Sequence, residues 1–286
     1  MSAQLVRTVE GLRDALARAR RDGKVIGLVP TMGALHDGHG RLIETARREC
    51  ATVVVSVFVN PIQFNRSDDY ERYPRTLEAD VRFAESRGAD FVFAPENNEM
   101  YPRPLRTYVD VEGLTDHLCG KFRPGHFRGV STVVTKLFQI VQPDRAYFGE
   151  KDAQQLAVIR RMVLDLNVPV EVVGVPIVRE ASGLALSSRN RHLSEGDREI
   201  ATALYRSLRA AEAAVERGER DAARVKGEAL AVLAERPEIQ VEYFEIVDPA
   251  EVQPVAEIRG PVLVAVAAWL SGTRLIDNVT VTPRTA

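Results

Sequence analysis

The chain has 286 residues, 45% of them hydrophobic and 27% charged, which suits one large or two modest globular domains and argues against disorder, collagen-like repeats or a disulfide scaffold. Lys plus Arg number 38 against 40 Asp plus Glu, so a net charge of -2 replaces the basic excess expected of a nucleic-acid binder. The longest apolar run, 261–270, is well short of the ~18 residues of a membrane helix. The first residues, 1–7, lack a basic cap followed by an apolar core, and Cys50 and Cys119 have no C-x-x-C spacing. A cytoplasmic protein with two reduced thiols, without membrane or nucleic-acid partners, is the expectation.

In chain order, residues 8–21 place Leu12, Ala15, Leu16 and Ala19 on one helical face and stop at Gly23. An apolar strand over 24–29 ends at Pro30, and a helix follows over roughly 39–50. Residues 52–59 are almost entirely β-branched, the signature of a strand buried on both faces of a parallel sheet. An amphipathic helix over 76–87 stops at Gly88, 90–94 is a short strand, and 97–106, with Pro102 and Pro104, reads as a surface loop. Helix 131–141, strand 145–148, helix 152–167 and strand 170–178 continue the alternation. Strands separated by helices of this length specify βαβ units, hence an α/β fold with a parallel sheet, helices on both faces and right-handed crossovers.

Beyond residue 178 the texture changes. Ser194 and Asp197 form a capping box that opens an Ala-rich helix to about residue 217, and a second helix over 222–235 ends before Pro237. Strands over 241–247, 262–270 and 274–281 complete a smaller C-terminal α+β domain. The expected division is 1–178 and 179–286.

Chemistry concentrates where strands end. Thr31-Met32-Gly33-Ala34-Leu35-His36-Asp37-Gly38-His39 lies between a strand and a helix, where a parallel sheet binds ligands. Its glycines allow close backbone approach, and the helix N-terminus attracts phosphate. Two imidazoles three residues apart would face the same side and donate to phosphoryl oxygens. Gly33-x-x-x-x-Gly38 is followed by His39-Gly40 rather than Lys-Ser/Thr, so the segment is not a P-loop, and no third ligand near the histidines supports zinc. A second junction, Phe148-Gly149-Glu150-Lys151-Asp152-Ala153-Gln154-Gln155, offers Lys151 as a point charge for phosphate, Asp152 as a helix cap or ribose acceptor, and Gln155 as donor and acceptor. Leu186-Ser187-Ser188-Arg189-Asn190 suits an anionic leaving group, and Phe58-Val59-Asn60-Pro61-Ile62-Gln63-Phe64 ends a strand in amides.

Taken in order, Pro30 to His39, Phe58 to Phe64, Tyr73-Pro74-Arg75, His126-Phe127-Arg128-Gly129, Phe148 to Asp152 and Ser187 to Asn190 resemble the pantoate–β-alanine ligase family of the His-x-Gly-His nucleotidyltransferase superfamily. The resemblance covers most of residues 24–193. It implies a Rossmann-type domain for ATP and pantoate, a smaller C-terminal lid domain and a homodimer. It also implies ATP-dependent condensation of (R)-pantoate with β-alanine to pantothenate, AMP and pyrophosphate through a pantoyl adenylate. On the matching positions, His36, His39, Lys151 and Arg189 are the implied catalytic residues, with His39 also a candidate proton donor. Met32, Gly33, Ala34, Leu35, Asp37 and Gly38 join the histidines at ATP. So do Gly149, Glu150, Lys151, Asp152, Val178 near the adenine, Leu186, Ser187 and Ser188. Gln63 and Gln155 are implied for pantoate and β-alanine, and Asp80 for Mg2+.

Gly40 stands where the family usually has an apolar residue, Leu186 replaces a more usual Met, and Ala153 replaces a common aromatic. The main rival is a nucleotidyltransferase that releases a nucleotidylated product; the paired amides and the extra domain favour the ligase.

Overall fold

The computed structural model describes residues 3–284. The described residues divide into two compact units: the first runs up to Val111 and adds Arg123–Glu150 and Val158–Pro176, and the second takes Glu112–Phe122, Lys151–Ala157 and the described residues from Ile177 on. The second unit thus recruits two short segments from upstream.

The elements in order are β1 (Gln4–Val6), α1 (Val9–Arg21), β2 (Ile26–Thr31), α2 (Asp37–Glu49), β3 (Thr52–Val57), α3 (Ser67–Arg72), α4 (Leu77–Ser86), β4 (Phe91–Phe93), α5 (Asn97–Met100), α6 (Leu118–Phe122), α7 (His126–Val141), β5 (Arg145–Gly149), α8 (Ala153–Asp165), β6 (Glu171–Val175), α9 (Glu195–Glu216), α10 (Ala222–Ala234), β7 (Gln240–Val247), β8 (Val262–Leu270) and β9 (Thr273–Val281). A 3-10 turn, Pro61–Gln63, follows β3.

The first unit is built on a six-stranded parallel sheet in the order β1-β4-β3-β2-β5-β6, the expected α/β fold. Val53, Val54 and Val55 are completely buried, as a strand covered on both faces must be. Val53 and Val55 join Leu42, Ile43 and Ala46 of α2 and Ala84 of α4 in one core cluster. The chain leaves β2 towards β3 in one direction and reaches β5 in the other, so the strand order reverses between β2 and β5. Carboxylates set the strand starts: Asp144 accepts from Ile26 N–H at 2.7 Å and Asp90 from Val53 N–H at 2.7 Å.

The second unit pairs α9 and α10 with an antiparallel sheet in the order β7-β8-β9. The Ser194–Asp197 capping box forms as expected, with Asp197 N–H to Ser194 Oγ at 3.1 Å and Ser194 N–H to Asp197 Oδ2 at 3.2 Å. Ala201, Leu204, Leu208, Ala211 and Val215 make the buried stripe of α9, packed in one cluster with Val264, Val266 and Ala268 of β8. The short α6 belongs here because Phe122 stacks on Tyr243 of β7 at 5.8 Å. Gln154, near the start of α8, donates to the carbonyls of Leu114 and His117.

Some elements depart from the expectations. Strand β1 and helices α3 and α6 are additional, α5 forms inside the expected 97–106 loop, and β6 is shorter than 170–178. Helix α7 starts at His126, five residues before the expected 131. Gly125, at φ +79°, provides its entry, and that left-handed residue is easily read as a loop.

The early turn of α7 lies against the 61–63 turn. A Cβ on Gly129 would fall 2.5 Å from Ile62 O and 2.7 Å from Gln63 Cα, both backbone atoms that cannot swing aside. Replacing a helical glycine with alanine ordinarily gains about 1 kcal/mol, whereas overpacking of this kind costs about 1–3 kcal/mol. Gly129→Ala is therefore expected to lose stability in urea denaturation, and a more stable variant would show that this contact is not tight.

Candidate active site

The loop after β2 is shaped by one carboxylate. Gly33 and Ala34 both have positive φ, +82° and +51°, and for alanine that conformation costs roughly 1–2 kcal/mol. Asp80 of α4 holds the loop in this form: Oδ2 accepts from Ala34 N–H at 3.1 Å and Oδ1 from Leu35 N–H at 2.7 Å. Thr76 Oγ1 donates to Oδ2 at 3.2 Å, and Thr31 Oγ1 accepts from Gly33 N–H at 3.1 Å. Side-chain space is absent at Gly33, where a Cβ would stand 3.0 Å from Asp80 Oδ2 and from Val57 Cγ1.

That path delivers His36 as the N-cap of α2 and His39 to its first turn. Gly38 N–H donates to His36 Nδ1 at 3.1 Å, and His36 N–H donates to His39 Nδ1 at 3.4 Å. The imidazoles thus cap the helix reciprocally, with ring centroids 4.2 Å apart. A nitrogen that accepts carries no hydrogen, so each ring presents its N–H at Nε2. Asp37 pairs with Arg87 at 2.7 Å. Gly40 is buried, and the space beside it is taken by the ring of Phe83 and by Arg87, 3.2 and 3.3 Å from where a Cβ would stand.

Gln63 sits at the end of a donor chain. Tyr101 donates its hydroxyl to Asn60 Oδ1 at 2.7 Å, and Asn60 Nδ2 donates to Gln63 Oε1 at 2.9 Å and to Gly129 O at 3.2 Å. Burial pushes the Tyr101 phenol well above its usual pKa, which keeps it protonated as a donor. With Oε1 engaged, Gln63 presents Nε2, which lies 3.2 Å from Met32 Sδ. His126 Nδ1 donates to Gln63 O at 2.8 Å, fixing the turn itself. The matching string 126–129 therefore has a structural purpose: it holds Gln63. Asn60, Tyr101 and His126 were legible only as amide, aromatic and motif residues without roles.

In the second unit, Lys151 and Asp152 lie in the 3-10 turn Glu150–Asp152, which leaves β5 directly after Gly149. Lys151 is half-buried, Asp152 is exposed, and Gln155 is half-buried on the first turn of α8. Val178 and Leu186 face each other across a short hairpin, Leu186 N–H donating to Val178 O at 3.0 Å, with an Arg179–Ala185 bridge between them. This hairpin leads into Ser187, whose hydroxyl accepts from Arg189 N–H at 3.3 Å and caps the Ser188–His192 turn. Ser188 and Asn190 are buried there. Val178, Leu186, Ser187, Ser188 and Arg189 are thereby brought into one continuous local structure.

Asp80, which the resemblance implies for Mg2+, has its carboxylate turned to the loop. Its carboxylate is 2% exposed and committed to two loop amides and a hydroxyl. Among the described residues no group of three His, Cys, Asp or Glu side chains could hold a metal ion. Asp80 is a loop anchor. Because charged acceptors contribute about 1.5–3 kcal/mol and buried orphaned donors are costly, Asp80→Ala is expected to lose about 3 kcal/mol in urea denaturation. A loss below about 1 kcal/mol would mean that the carboxylate does not hold the loop.

Residues 4–280 match the family model described as Pantoate-beta-alanine ligase. A pantothenate synthetase of Heliobacterium modesticaldum is 54% identical over 279 residues, covering 96% of this chain and 99% of the relative. The crystal structure of pantothenate synthetase from Thermus thermophilus superposes with a TM-score of 0.93 at 50% identity, covering 98% of this chain and 100% of that one. A pantoate-beta-alanine ligase from Francisella tularensis, solved with beta-gamma ATP and beta-alanine, gives a TM-score of 0.81 at 33% identity over 97% of both chains. With a match of this extent in sequence and in fold, the chain belongs to the pantoate-beta-alanine ligase family.

Proposed function

We propose that the protein condenses pantoate with β-alanine, consuming ATP and releasing AMP and pyrophosphate. Family membership supports the reaction, and the local observation that carries it is the capped imidazole pair after β2, at the strand-order reversal of the sheet. The related ligase solved with beta-gamma ATP and beta-alanine supports ATP and β-alanine as substrates.

A carboxylate acylates poorly, so pantoate must first be activated. One of its carboxylate oxygens attacks the α-phosphorus of ATP in line. The bond from that phosphorus to the bridging oxygen breaks, and pyrophosphate leaves with the electron pair. Charge grows on the departing oxygens, so fixed N–H donors and cations supply the catalysis. We assign the Nε2–H groups of His36 and His39 to the phosphates as hydrogen-bond donors. Lys151, Ser187, Ser188 and Arg189 are assigned to the phosphates as well. Met32 to Gly38, Gly149 to Asp152, Val178 and Leu186 are assigned to the remainder of ATP.

The oriented Nε2 of Gln63 suits the oxygens of pantoate, and Gln155 is assigned to the same small substrates. Magnesium would neutralise charge on the triphosphate, held there by phosphate oxygens and water, while Asp80 holds the loop. In the second step the uncharged amine of β-alanine attacks the acyl carbon. The C–O bond to AMP breaks, AMP departs with the pair, and the nitrogen releases a proton. Exclusion of water protects the adenylate, the role proposed for residues 179–286 as a lid on the ATP- and pantoate-binding domain of residues 1–178.

No helix among the described residues is long and apolar enough to cross a membrane, and Cys50 and Cys119 are free and buried. Both facts suit the cytoplasm, which is the proposed location. A homodimer is proposed from the family.

Incubation with ATP and pantoate, β-alanine withheld, is expected to accumulate an acyl adenylate that β-alanine then converts to pantothenate with release of AMP. A nucleotidylated product indifferent to β-alanine would overturn the reading in favour of a nucleotidyltransferase. Lys151→Ala is expected to remove about 2–5 kcal/mol of transition-state stabilisation, roughly 30-fold to several thousand-fold in rate, with little change in thermal midpoint. An unchanged rate with a lowered midpoint would make Lys151 structural.

A further inference from the structure

Lys151 comes immediately after a strand in a short turn, and its backbone carbonyl accepts a hydrogen bond from a residue 127 positions away: Asn278 Nδ2 donates to Lys151 O at 2.9 Å. Asn278 is 6% exposed and lies on β9, opposite Ala265 of β8. Its neighbour Asp277, 4% exposed, receives Arg179 in a bidentate pair, Nη1 to Oδ2 at 2.6 Å and Nη2 to Oδ1 at 2.9 Å. The same guanidinium donates to Asn278 O at 3.2 Å and to Gly183 O at 3.1 Å, and it lies 4.0 Å over the Tyr205 ring. Asn278 N–H donates to Asp277 Oδ1 at 2.8 Å.

Arg179 belongs to the hairpin that carries Val178 and Leu186 and leads into Ser187, Ser188 and Arg189. Two consecutive residues of one strand therefore hold two separate segments. Asp277 holds the Ser187–Arg189 hairpin through Arg179, and Asn278 holds the Lys151 turn. Both polar side chains are buried in a strand whose neighbour, β8, is almost wholly apolar, and each makes a hydrogen bond or ion pair to one of these two segments. A one-residue slip of β9 would exchange the faces on which Asp277 and Asn278 stand.

We infer that Asn278 is a positioning residue for Lys151, and that the Asp277–Asn278 pair keeps the Lys151 turn and the Ser187–Arg189 segment in register with each other. The inference rests on the assignment of both segments to the phosphates of ATP. Asn278 acts through the backbone of Lys151, so its loss lets the ammonium drift from the developing charge without removing any charge.

The test is pantoate-dependent pyrophosphate release by the full-length wild type, Asn278→Ala, Lys151→Ala and the double variant, with the folded fraction measured by circular dichroism. Asn278→Ala is expected to lower kcat about tenfold or more, with the KM for pantoate changed less than threefold. In the Lys151→Ala background the same change is expected to lose less than twofold further, since residues that act as a unit are not additive. Asn278→Ser, which keeps a shorter donor, is expected to fall between wild type and Asn278→Ala.

Losses that multiply in the double variant, or an unchanged kcat in Asn278→Ala, would overturn the proposal. So would failure of both Asn278 variants to fold, which would make the residue part of the core alone. If Lys151→Ala itself left the rate unchanged, the phosphate assignment would fail instead.

Discussion

The hydrogen-bond ladder between β2 and β5 is where the architecture turns into a site. Strand β2 shares partners with β3 along its whole length, from Ile26 to Thr31, but with β5 only at Gly27 and Leu28. At this point the strand order reverses, and the connections from the two strands run in opposite directions. A parallel sheet leaves room above its carboxyl edge at such a reversal, and there the loop of Gly33 and Ala34 delivers the amino end of α2. The imidazole pair follows from that placement: His36 and His39 cap the helix through Nδ1, so each is left with its hydrogen at Nε2.

A second physical theme is the use of polar side chains on backbone atoms. Asp80 holds the amides of Ala34 and Leu35, Asp90 and Asp144 hold the amides of Val53 and Ile26 at the starts of β3 and β2, and His126 holds the carbonyl of Gln63. Each such bond adds a modest net stabilisation, but removal of one partner orphans a buried group and costs more than the bond contributed. Segments with left-handed residues are thereby held in one shape before any ligand arrives. Preorganisation of that kind is what a charge-stabilising site needs, because donors already in place need no reorganisation as charge develops.

Two positions that depart from the expected family pattern, Gly40 and Leu186, have local accounts. Gly40 gives up a side chain, and the ring of Phe83 with the Arg87 guanidinium over it at 5.1 Å takes the space against α2. Leu186 keeps its place in the hairpin through its backbone N–H, which any residue but proline would supply. For Ala153, which opens α8 beside Lys151, nothing in the structure explains the replacement of an aromatic residue.

Hydrophobic period and turn chemistry are written locally, so the sequence alone determined most strands and helices, the parallel sheet, the capping box at Ser194 and the strings at the strand ends. It could not reveal that α7 begins at a left-handed glycine, because a Gly-rich run reads equally as a loop. Nor could it reveal the partners that orient the site residues. Asp80 lies 46 residues from the amide it holds, Tyr101 lies 41 from Asn60, and Asn278 lies 127 from Lys151. The types of the chemical groups were legible in the chain. Their orientation was decided by tertiary structure, because a hydrogen bond is specified by where two atoms meet in space, and separation along the chain carries no record of that.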